Sequence, residues 1–349
     1  MPKELPDAAA IITTPFEDAP APGAVVEVAE GVLWARIPLS IKPDHVNIYI
    51  LEDDDGWTIV DTGMETADGR AAWEALLSGP LKGRPVARVI VTHHHLDHVG
   101  RAGWFQRHGA ELWTTRTAWF YARMLQLDRQ TTMPEETVAF ARGAGTPEDV
   151  LAKIAARPFN SGDVVAPLPL GFTRIKEGDA LTIGGRVWDV RIGDGHAPEL
   201  ATLWCRDIPV VLGSDQFLPG ISPNISLYPT MPMEDPLGDW IASCERFVPH
   251  ARADHLVLPG HKKPYRGLPI RLDQLIDNHH GALARLLDHL AEPRTAAECF
   301  QPLFMRSIGI GEYTLALGEA MAHCAHLWHR GKVTRNVTEE GVWLWQAKD

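Results

Sequence analysis

The stretch "VTHHHLDHVG" (residues 91–100) concentrates four histidines and one aspartate within six positions. It overlaps the end of the apolar run "ARVIVT" (87–92). A short, continuous apolar run of this kind is typical of a strand that is buried on both faces. The histidines are therefore predicted to lie where a buried strand ends and the chain turns.

The spacing within this stretch favours a metal site. Of the possible registers after the strand, one projects His93 and His95 from the same side, and His94 between them then points away. Asp97 and His98 follow at the start of a predicted helix and face a neighbouring point. Imidazole and carboxylate groups are the donors that borderline divalent metals prefer, and two neighbouring sites would suit a two-metal hydrolase.

Other apolar runs also end in a histidine or an aspartate. "WTIV" runs into Asp61, "WDVRIGDG" into His196, "VVLGS" into Asp215 and "LVLPG" into His261. In layered α/β folds, ligands and substrates bind at the edge where strands end. We therefore expect these side chains to lie close to the histidine cluster.

Length and composition exclude several classes of protein. The 349 residues are 45% hydrophobic and 22% charged, which indicates a folded chain with a large core instead of a disordered one. A formal net charge of −12 argues against nucleic acid and anionic membranes as partners. The N-terminus lacks the apolar core of a signal peptide, so a cytoplasmic protein is expected. The cysteines form no CxxC pair and are expected to be reduced thiols: Cys205, Cys244, Cys299 and Cys324.

The predicted organisation has three parts. Residues 1–23 are acidic and proline-rich, and we expect an arm that lies on a surface or stays loose. Residues 24–265 mix runs of strand length with helical periodicity, and a helical insertion is expected at about 115–165. Residues 266–349 contain three helical patterns followed by a β-hairpin, which is the element order of a winged-helix-like module.

The whole set of motifs resembles the metallo-β-lactamase superfamily. The run at 93–98 is similar to its H-x-H-x-D-H motif, and "VDTGM", "GDGHAP", "GSDQ" and "LPGHKKP" match further motifs in the right order. The resemblance covers about residues 25–265. It implies an α/β fold in which two sheets are flanked by helices as an αββα sandwich.

The resemblance also implies a dinuclear centre and a hydrolytic reaction. Asp61 would orient the ligand loop, and Asp97 would help to move a proton. A hydroxide shared by two divalent ions, zinc above all with iron or manganese as substitutes, would attack the carbonyl of a small thioester, ester or lactone. The implied ligands are His93, His95 and His196 for the first ion, Asp97, His98 and His261 for the second, and Asp215 between them.

Individual positions narrow the choice within the superfamily. Asp215 stands where true β-lactamases of this fold carry a cysteine or serine, which is similar to hydroxyacylglutathione hydrolases, lactonases and RNA-processing members. Leu218 stands where lactonases carry a tyrosine, so a close lactonase match is not expected. Tyr228 lies in a loop that could reach the site, as a contact to substrate or as a packing residue. The insertion and the C-terminal module resemble β-lactamase-like proteins with a C-terminal winged helix.

Three alternatives remain open at this point. A metal-dependent ribonuclease or phosphodiesterase is suggested only by the winged-helix-like end. An iron-dependent member that oxidises thiols is compatible with histidine and carboxylate ligands. A non-catalytic binding protein would retain the fold alone. The expected partner is a small acyl substrate, and a homodimer is expected from similarity to relatives alone.

Overall fold

Two β-sheets form the centre of the protein, which is described here by a computed structural model covering residues 11–348. The first sheet is antiparallel up to its fourth strand and parallel beyond it. Its strands follow chain order: β1 (Val26–Ala29), β2 (Val32–Pro38), β3 (His45–Asp53), β4 (Gly56–Val60), β5 (Val86–Val91), β6 (Glu111–Thr114) and β7 (Thr173–Arg174).

The second sheet has five strands and one parallel pair, formed by its two last strands in the chain. Its remaining neighbours are antiparallel. The strands are β8 (Ala180–Ile183), β9 (Arg186–Gly193), β10 (Leu200–Cys205), β11 (Val210–Ser214) and β12 (Leu256–Pro259), and their spatial order is the reverse of their chain order.

The helices connect these strands or follow them in the chain. They are α1 (Ala67–Ser78), α2 (Leu96–Val99), α3 (Ala102–Arg107), α4 (Arg116–Leu127), α5 (Glu135–Gly143), α6 (Glu148–Ala155), α7 (Pro236–Phe247), α8 (Leu268–His289), α9 (Phe300–Phe304) and α10 (Tyr313–His329). A final hairpin pairs β13 (Val333–Val337) with β14 (Trp343–Ala347).

The alternation of side chains along the strands builds the layers. On β3, Tyr49 and Leu51 belong to the apolar cluster between the sheets, together with Leu203 of β10. Ile50, between them, belongs to the cluster that contains Trp73 of α1. Because successive residues of a strand point to opposite faces, one strand contributes to both layers.

The outer face of the second sheet is covered in the same way. Val211 of β11 and Val257 of β12 share a cluster with Trp240 of α7 and Leu272 of α8. The order of layers is helix, sheet, sheet, helix. The predicted α/β fold, an αββα sandwich, is therefore confirmed.

The helical insertion consists of α4, α5 and α6 between β6 and β7. The cap preference of threonine predicts helix starts at Thr132 and Thr146, and this prediction is wrong. The N-caps are Pro134 and Pro147. Both prolines have an extended ψ, 142° at Pro134 and 145° at Pro147, so each helix begins at the glutamate that follows the proline.

The C-terminal part has the predicted order of three helices, α8 to α10, and a hairpin. Of the predicted arm, residues 1–10 lie outside the described part of the chain. Beyond them, Thr13 pairs with Arg266 through two backbone hydrogen bonds of 3.2 and 2.8 Å. The four cysteines are unpaired thiols. None of the helices within residues 11–348 is both long and apolar enough for a membrane span.

Candidate metal centre

Five strands deliver a histidine or an aspartate to one edge of the sandwich. The side chains follow β4, β5, β9, β11 and β12, and none of them is more than 6% exposed: Asp61, His93, His196, Asp215 and His261. The strand ends are fixed by their hydrogen-bonded neighbours, so their loops hold these side chains with little freedom. This is the convergence that the sequence predicts.

The remaining candidates lie in the short segment after β5, where His95 precedes α2 and Asp97 and His98 lie within it. Three groups of side chains place their ligand atoms within 4.8 Å of one another. The groups are His93, His95 and His196; His93, His98 and Asp215; and Asp97, His98 and His261. Together they contain all seven side chains that the sequence proposes as ligands.

His94 lies outside these three groups. Its ring packs against Tyr121 of α4, with 4.9 Å between the ring centroids. Tyr121 Oη is also 3.4 Å from Thr230 Oγ1. The insertion therefore reaches the edge of the site through α4, and His94 contacts the insertion.

Asp215 lies between the two sets of histidines. Its Oδ1 is 3.6 Å from His98 Nε2, and its Oδ2 is 3.4 Å from both His196 Nε2 and His261 Nε2. Gly260 permits this position, because a Cβ there would lie 2.1 Å from Asp215 Oδ1. Asp215 Oδ2 therefore lies equally close to the histidine that follows β9 and the histidine that follows β12, while its Oδ1 faces His98 of α2.

Several buried polar atoms at this point have no hydrogen-bond partner among the described residues. They are His98 Nε2, His196 Nε2 and Asp215 Oδ1. A buried polar atom without a partner costs about 1–3 kcal/mol, so three of them facing one space need a common partner. A divalent cation fits this donor set, since imidazole nitrogen and carboxylate oxygen are its usual ligands. The residues present therefore fit bound metal ions.

Asp61 holds the segment that carries most of these ligands. Its Oδ2 accepts a hydrogen bond of 2.8 Å from His98 Nδ1, and its Oδ1 accepts one of 2.8 Å from the Thr92 backbone N–H. With Nδ1 held as the donor to Asp61, His98 directs its Nε2 towards the centre, where it can bind a metal once it gives up its proton. Asp61 itself has a φ of 63°, which is uncommon for a residue other than glycine. Its backbone N–H is fixed by Ile90 O at 2.9 Å.

His261 is oriented by a different part of the molecule. Its Nδ1 donates to the backbone oxygen of His45 at 2.7 Å. The loop around it is held by Asn47, whose Nδ2 donates to Pro259 O at 2.8 Å and to Lys262 O at 2.9 Å. These contacts join the first sheet to the end of the second.

His196 has a third kind of support. Its Nδ1 donates to the backbone oxygen of Asn224 at 2.8 Å. Sequence reasoning missed Thr92, His45 and Asn224 as supporting residues. Only Thr92 has a signal in the sequence, its position beside His93; the other two act through backbone oxygens, which every residue possesses.

The charges of the site attract a cation. Burial lowers the pKa of His98, but Asp97, Asp215 and Asp61 outweigh burial and raise it well above its usual value. For His261 burial is likewise outweighed by Asp215 and Asp97, which raise the pKa to about 10. Burial would raise the pKa of Asp215, but His261 and His98 hold it well below its usual value. The carboxylates thus favour a positive charge here, which either protons or metal ions can provide.

The histidines on the other side of the centre behave differently. Burial, reinforced by neighbouring imidazoles, lowers the pKa of His93 and of His95 well below the usual value. Both rings are therefore neutral at physiological pH. A neutral imidazole binds a metal without first losing a proton.

Tyr228 lines a cavity of about 230 Å³ that also contacts His196. The wall is partly apolar and partly acidic. Its apolar residues include Pro198, Leu227, Tyr228, Met231 and Pro236, and its acidic residues are Asp194, Glu234 and Asp239. Burial raises the pKa of the Tyr228 hydroxyl. Leu218, by contrast, is buried, and its backbone oxygen accepts a hydrogen bond of 2.6 Å from Arg271 Nε.

Comparison with known protein families agrees with this geometry. Residues 41–261 match the model of the metallo-beta-lactamase superfamily. Residues 283–348 match the model described as metallo-beta-lactamase-like, C-terminal domain. The first match covers well over half of the chain and spans all seven candidate ligands.

Individual relatives extend the similarity over nearly the full length. A crystal structure of a beta-lactamase domain protein from Burkholderia ambifaria is 34% identical, with a TM-score of 0.88 and coverage of 97% of both chains. A metallo-beta-lactamase family protein from Thermus thermophilus is 26% identical, with a TM-score of 0.76 over 92% of this chain and 100% of that one. The probable metallo-hydrolase YqjP of Bacillus subtilis (strain 168) is 25% identical over 311 residues, 84% of this chain and 91% of the relative. The chain belongs to the metallo-beta-lactamase superfamily.

Proposed function

We propose that this protein is a dinuclear metallohydrolase that cleaves a small thioester, ester or lactone. The observation that carries the proposal is the convergence of seven histidine and aspartate side chains, three of which leave a buried ligand atom unpaired among the described residues. The similarity to a probable metallo-hydrolase supports the hydrolytic assignment. Zinc is the proposed ion, with iron or manganese as substitutes.

Each side chain has a proposed place in the centre. When bound, the ions supply Lewis acidity, which lowers the pKa of a coordinated water and polarises a carbonyl oxygen. Asp61 keeps His98 in the tautomer that can bind, as described above. The proposed ligands are His93, His95 and His196 for one ion, Asp97, His98 and His261 for the other, and Asp215 for both.

Asp97 is the proposed carrier of the proton during hydrolysis. Its side chain is 18% exposed, compared with 6% for Asp215, so it is more accessible from the substrate side. Hydrolysis adds the OH of water to the carbonyl carbon and the remaining proton to the departing sulfur or oxygen. Asp97 would accept that proton on its carboxylate and pass it to the leaving group.

The cavity beside His196 is the proposed site for the acyl part of the substrate. Its apolar wall suits a short acyl chain, and the hydroxyl of Tyr228 would donate a hydrogen bond to the carbonyl oxygen. The carboxylates of Asp194, Glu234 and Asp239 disfavour an anionic group here. This argues for a small molecule and against a phosphate backbone as the substrate.

The test begins with metal content, measured by elemental analysis on protein purified without a metal-affinity tag or added metal. We expect about two zinc ions per chain, and then hydrolysis of at least one member of a thioester, ester and lactone panel. Asp55→Ala, an exposed turn residue, serves as a control that retains activity. One iron per chain and no second ion would favour oxidation of thiol substrates. No hydrolysis by the zinc-loaded protein would contradict the proposal.

A further inference from the structure

The ligand atom of His196 faces the centre because of a single hydrogen bond. The backbone oxygen of Asn224 can only accept, so His196 Nδ1 carries the proton. The other ring nitrogen, Nε2, then points to Asp215, 3.4 Å from its Oδ2, and belongs to the group with His93 and His95. The position of the Asn224 peptide therefore decides where this ligand atom lies.

Asn224 belongs to the loop of residues 218–235, between β11 and α7, which has no helix or strand of its own. Its side chain is fixed by the C-terminal helix α10. Asn224 Nδ2 donates to Glu319 Oε2 at 3.0 Å and to the backbone oxygen of Leu315 at 3.2 Å. Both acceptors lie 91 or more residues further along the chain.

Two further contacts hold the same part of the loop against α10. The backbone N–H of Leu227 donates to Gly318 O at 3.0 Å. A Cβ on Gly318 would lie 2.6 Å from Ser226 Oγ, so the helix approaches the loop as closely as a glycine allows. The contact surface between α10 and the loop is therefore specific in shape, and Glu319 provides the acceptor for the Asn224 side chain.

The carboxyl group of Glu319 lies in an unfavourable environment. Burial raises the pKa of its carboxyl to about 7. No lysine, arginine or histidine within residues 11–348 forms an ion pair with it, and its side-chain hydrogen bond goes to Asn224. Burying a carboxylate without a cation disfavours folding, so its contact with Asn224 calls for an explanation beyond stability.

We infer that the C-terminal domain sets the geometry of the metal centre through the line Glu319, Asn224 and His196. Glu319 and the side chain of Asn224 are positioning residues: they touch neither metal nor substrate and act by fixing one peptide oxygen. Residues that orient a metal-binding histidine change metal affinity when they are lost. The inference rests on the proposed metal centre but on no particular substrate.

The test measures metal binding by the whole protein, using cobalt(II) as a spectroscopic probe and zinc in competition with a chelator. Glu319→Ala is expected to weaken binding of the ion held by His196 by about tenfold. It should also change the visible absorption of the cobalt form, which reports coordination geometry. Glu319→Gln offers an amide oxygen to Asn224 Nδ2 and is expected to restore most of the affinity and the spectrum.

Ser222→Ala is the matched control. Ser222 lies in the same loop and its Oγ is 3.3 Å from Nε2 of His279, on α8, so the variant also removes a contact between the loop and the C-terminal helices. It leaves Asn224 and Glu319 untouched, and wild-type affinity and spectrum are expected. An equal loss in Ser222→Ala and Glu319→Ala would show general loosening of the loop and overturn the inference.

A folded Glu319→Ala protein with wild-type zinc affinity and cobalt spectrum would also overturn it. Should that variant fail to fold, Glu319→Asp takes its place, because the shorter side chain retains the charge but no longer reaches Asn224. A wild-type cobalt spectrum for the aspartate variant counts against the inference. None of these measurements uses a substrate, so a wrong choice of substrate class leaves the outcome unaffected.

Discussion

The two halves of the metal centre are held in different ways. The half after β5 carries His93, His95, Asp97 and His98 within six residues, and Asp61, 37 residues before His98, supports it. The other half consists of three side chains that follow three separate strands: His196, Asp215 and His261. There His261 depends on the backbone oxygen of His45, 216 residues away in the chain.

The two halves therefore differ in the contacts that they need in order to assemble. The first half can assemble from one strand, one turn and a neighbouring strand, because its contacts are close in the chain. The second half needs the sheets and the C-terminal helices to be in place before its ligands are oriented. We therefore expect a substitution in the first half to disturb only the ligands near it in the chain. Metal binding by the second half should also be sensitive to substitutions in distant segments that contact it.

Asp215, whose carboxylate approaches His98 of the first half and His196 and His261 of the second, should give the largest effect. Asp215→Ala removes the carboxylate that faces both sets of histidines, so we expect loss of the second ion. Hydrolysis should fall on the order of 10³-fold, or about 4 kcal/mol of barrier. Elemental analysis and rates on the responsive substrate measure both effects. Retention of two ions at full affinity would show that Asp215 is not a ligand of both ions.

Asp61 tests the local support of the first half. Asp61→Ala leaves the Nδ1–H of His98 buried without a partner, which should destabilise the protein by about 3 kcal/mol. Metal affinity should fall about 10–100-fold. Thermal and chelator titrations measure these changes.

Asp61→Asn separates the loss of the carboxylate from the backbone strain that alanine would suffer at a φ of 63°. Asparagine tolerates the φ of 63° at this position, but its single oxygen cannot serve both His98 and Thr92. An intermediate loss is expected. Equal losses for the alanine and asparagine variants would mean that the carboxylate, and not the backbone conformation, carries the whole effect.

Gly260 tests the second half, where two neighbouring strand ends meet. In Gly260→Ala the Cβ would lie 2.1 Å from Asp215 Oδ1 and 2.9 Å from His98 Cε1, so Asp215 must move. Overpacking of this kind costs about 1–3 kcal/mol, and metal affinity should fall with it. Gly171→Ala is the control, because no atom lies within 4 Å of the added Cβ. Equal stability and affinity of the two variants would contradict the close packing described here.

The pH dependence of metal binding should separate the two groups of ligands. The carboxylates raise the pKa of His261 to about 10 and also raise the pKa of His98, so an ion bound between them must displace protons. Lowering the pH therefore favours the protonated form and weakens binding, by up to about tenfold per pH unit for each displaced proton. The pKa values of His93 and His95 are depressed, so these rings have no proton to lose.

As the pH falls from about 8 to about 6, the ion bound by Asp97, His98 and His261 should be lost before the ion bound by His93, His95 and His196. In this range the first ion must displace protons from its histidines, whereas His93 and His95 are already neutral. Dialysis at each pH followed by elemental analysis measures the stoichiometry, and calorimetry in buffers of different ionisation enthalpy counts the released protons. Simultaneous loss of both ions would indicate that the two groups bind as one unit.

The layers of the fold could be predicted from the sequence because each strand has a local pattern. The continuous apolar run of β5 and the mixed pattern of β3 both follow from burial on two faces. The starts of α5 and α6 were predicted less accurately. These helices begin after Pro134 and Pro147, and not after the threonines that cap preference favours. The contact between α4 and His94 could not be predicted from the sequence, because the packing of Tyr121 against His94 depends on how distant segments fold together.

The sequence by itself determined the chemistry of the site: which side chains can bind a metal, and that they follow buried strands whose ends meet. Its spacing is enough because a strand followed by a turn leaves few directions for the residues after it. Only the tertiary structure decided how His196 and His261 are aimed, through the backbone oxygens of Asn224 and His45. A backbone oxygen is the same in every residue, so the sequence carries no mark of the one that a folded chain will use.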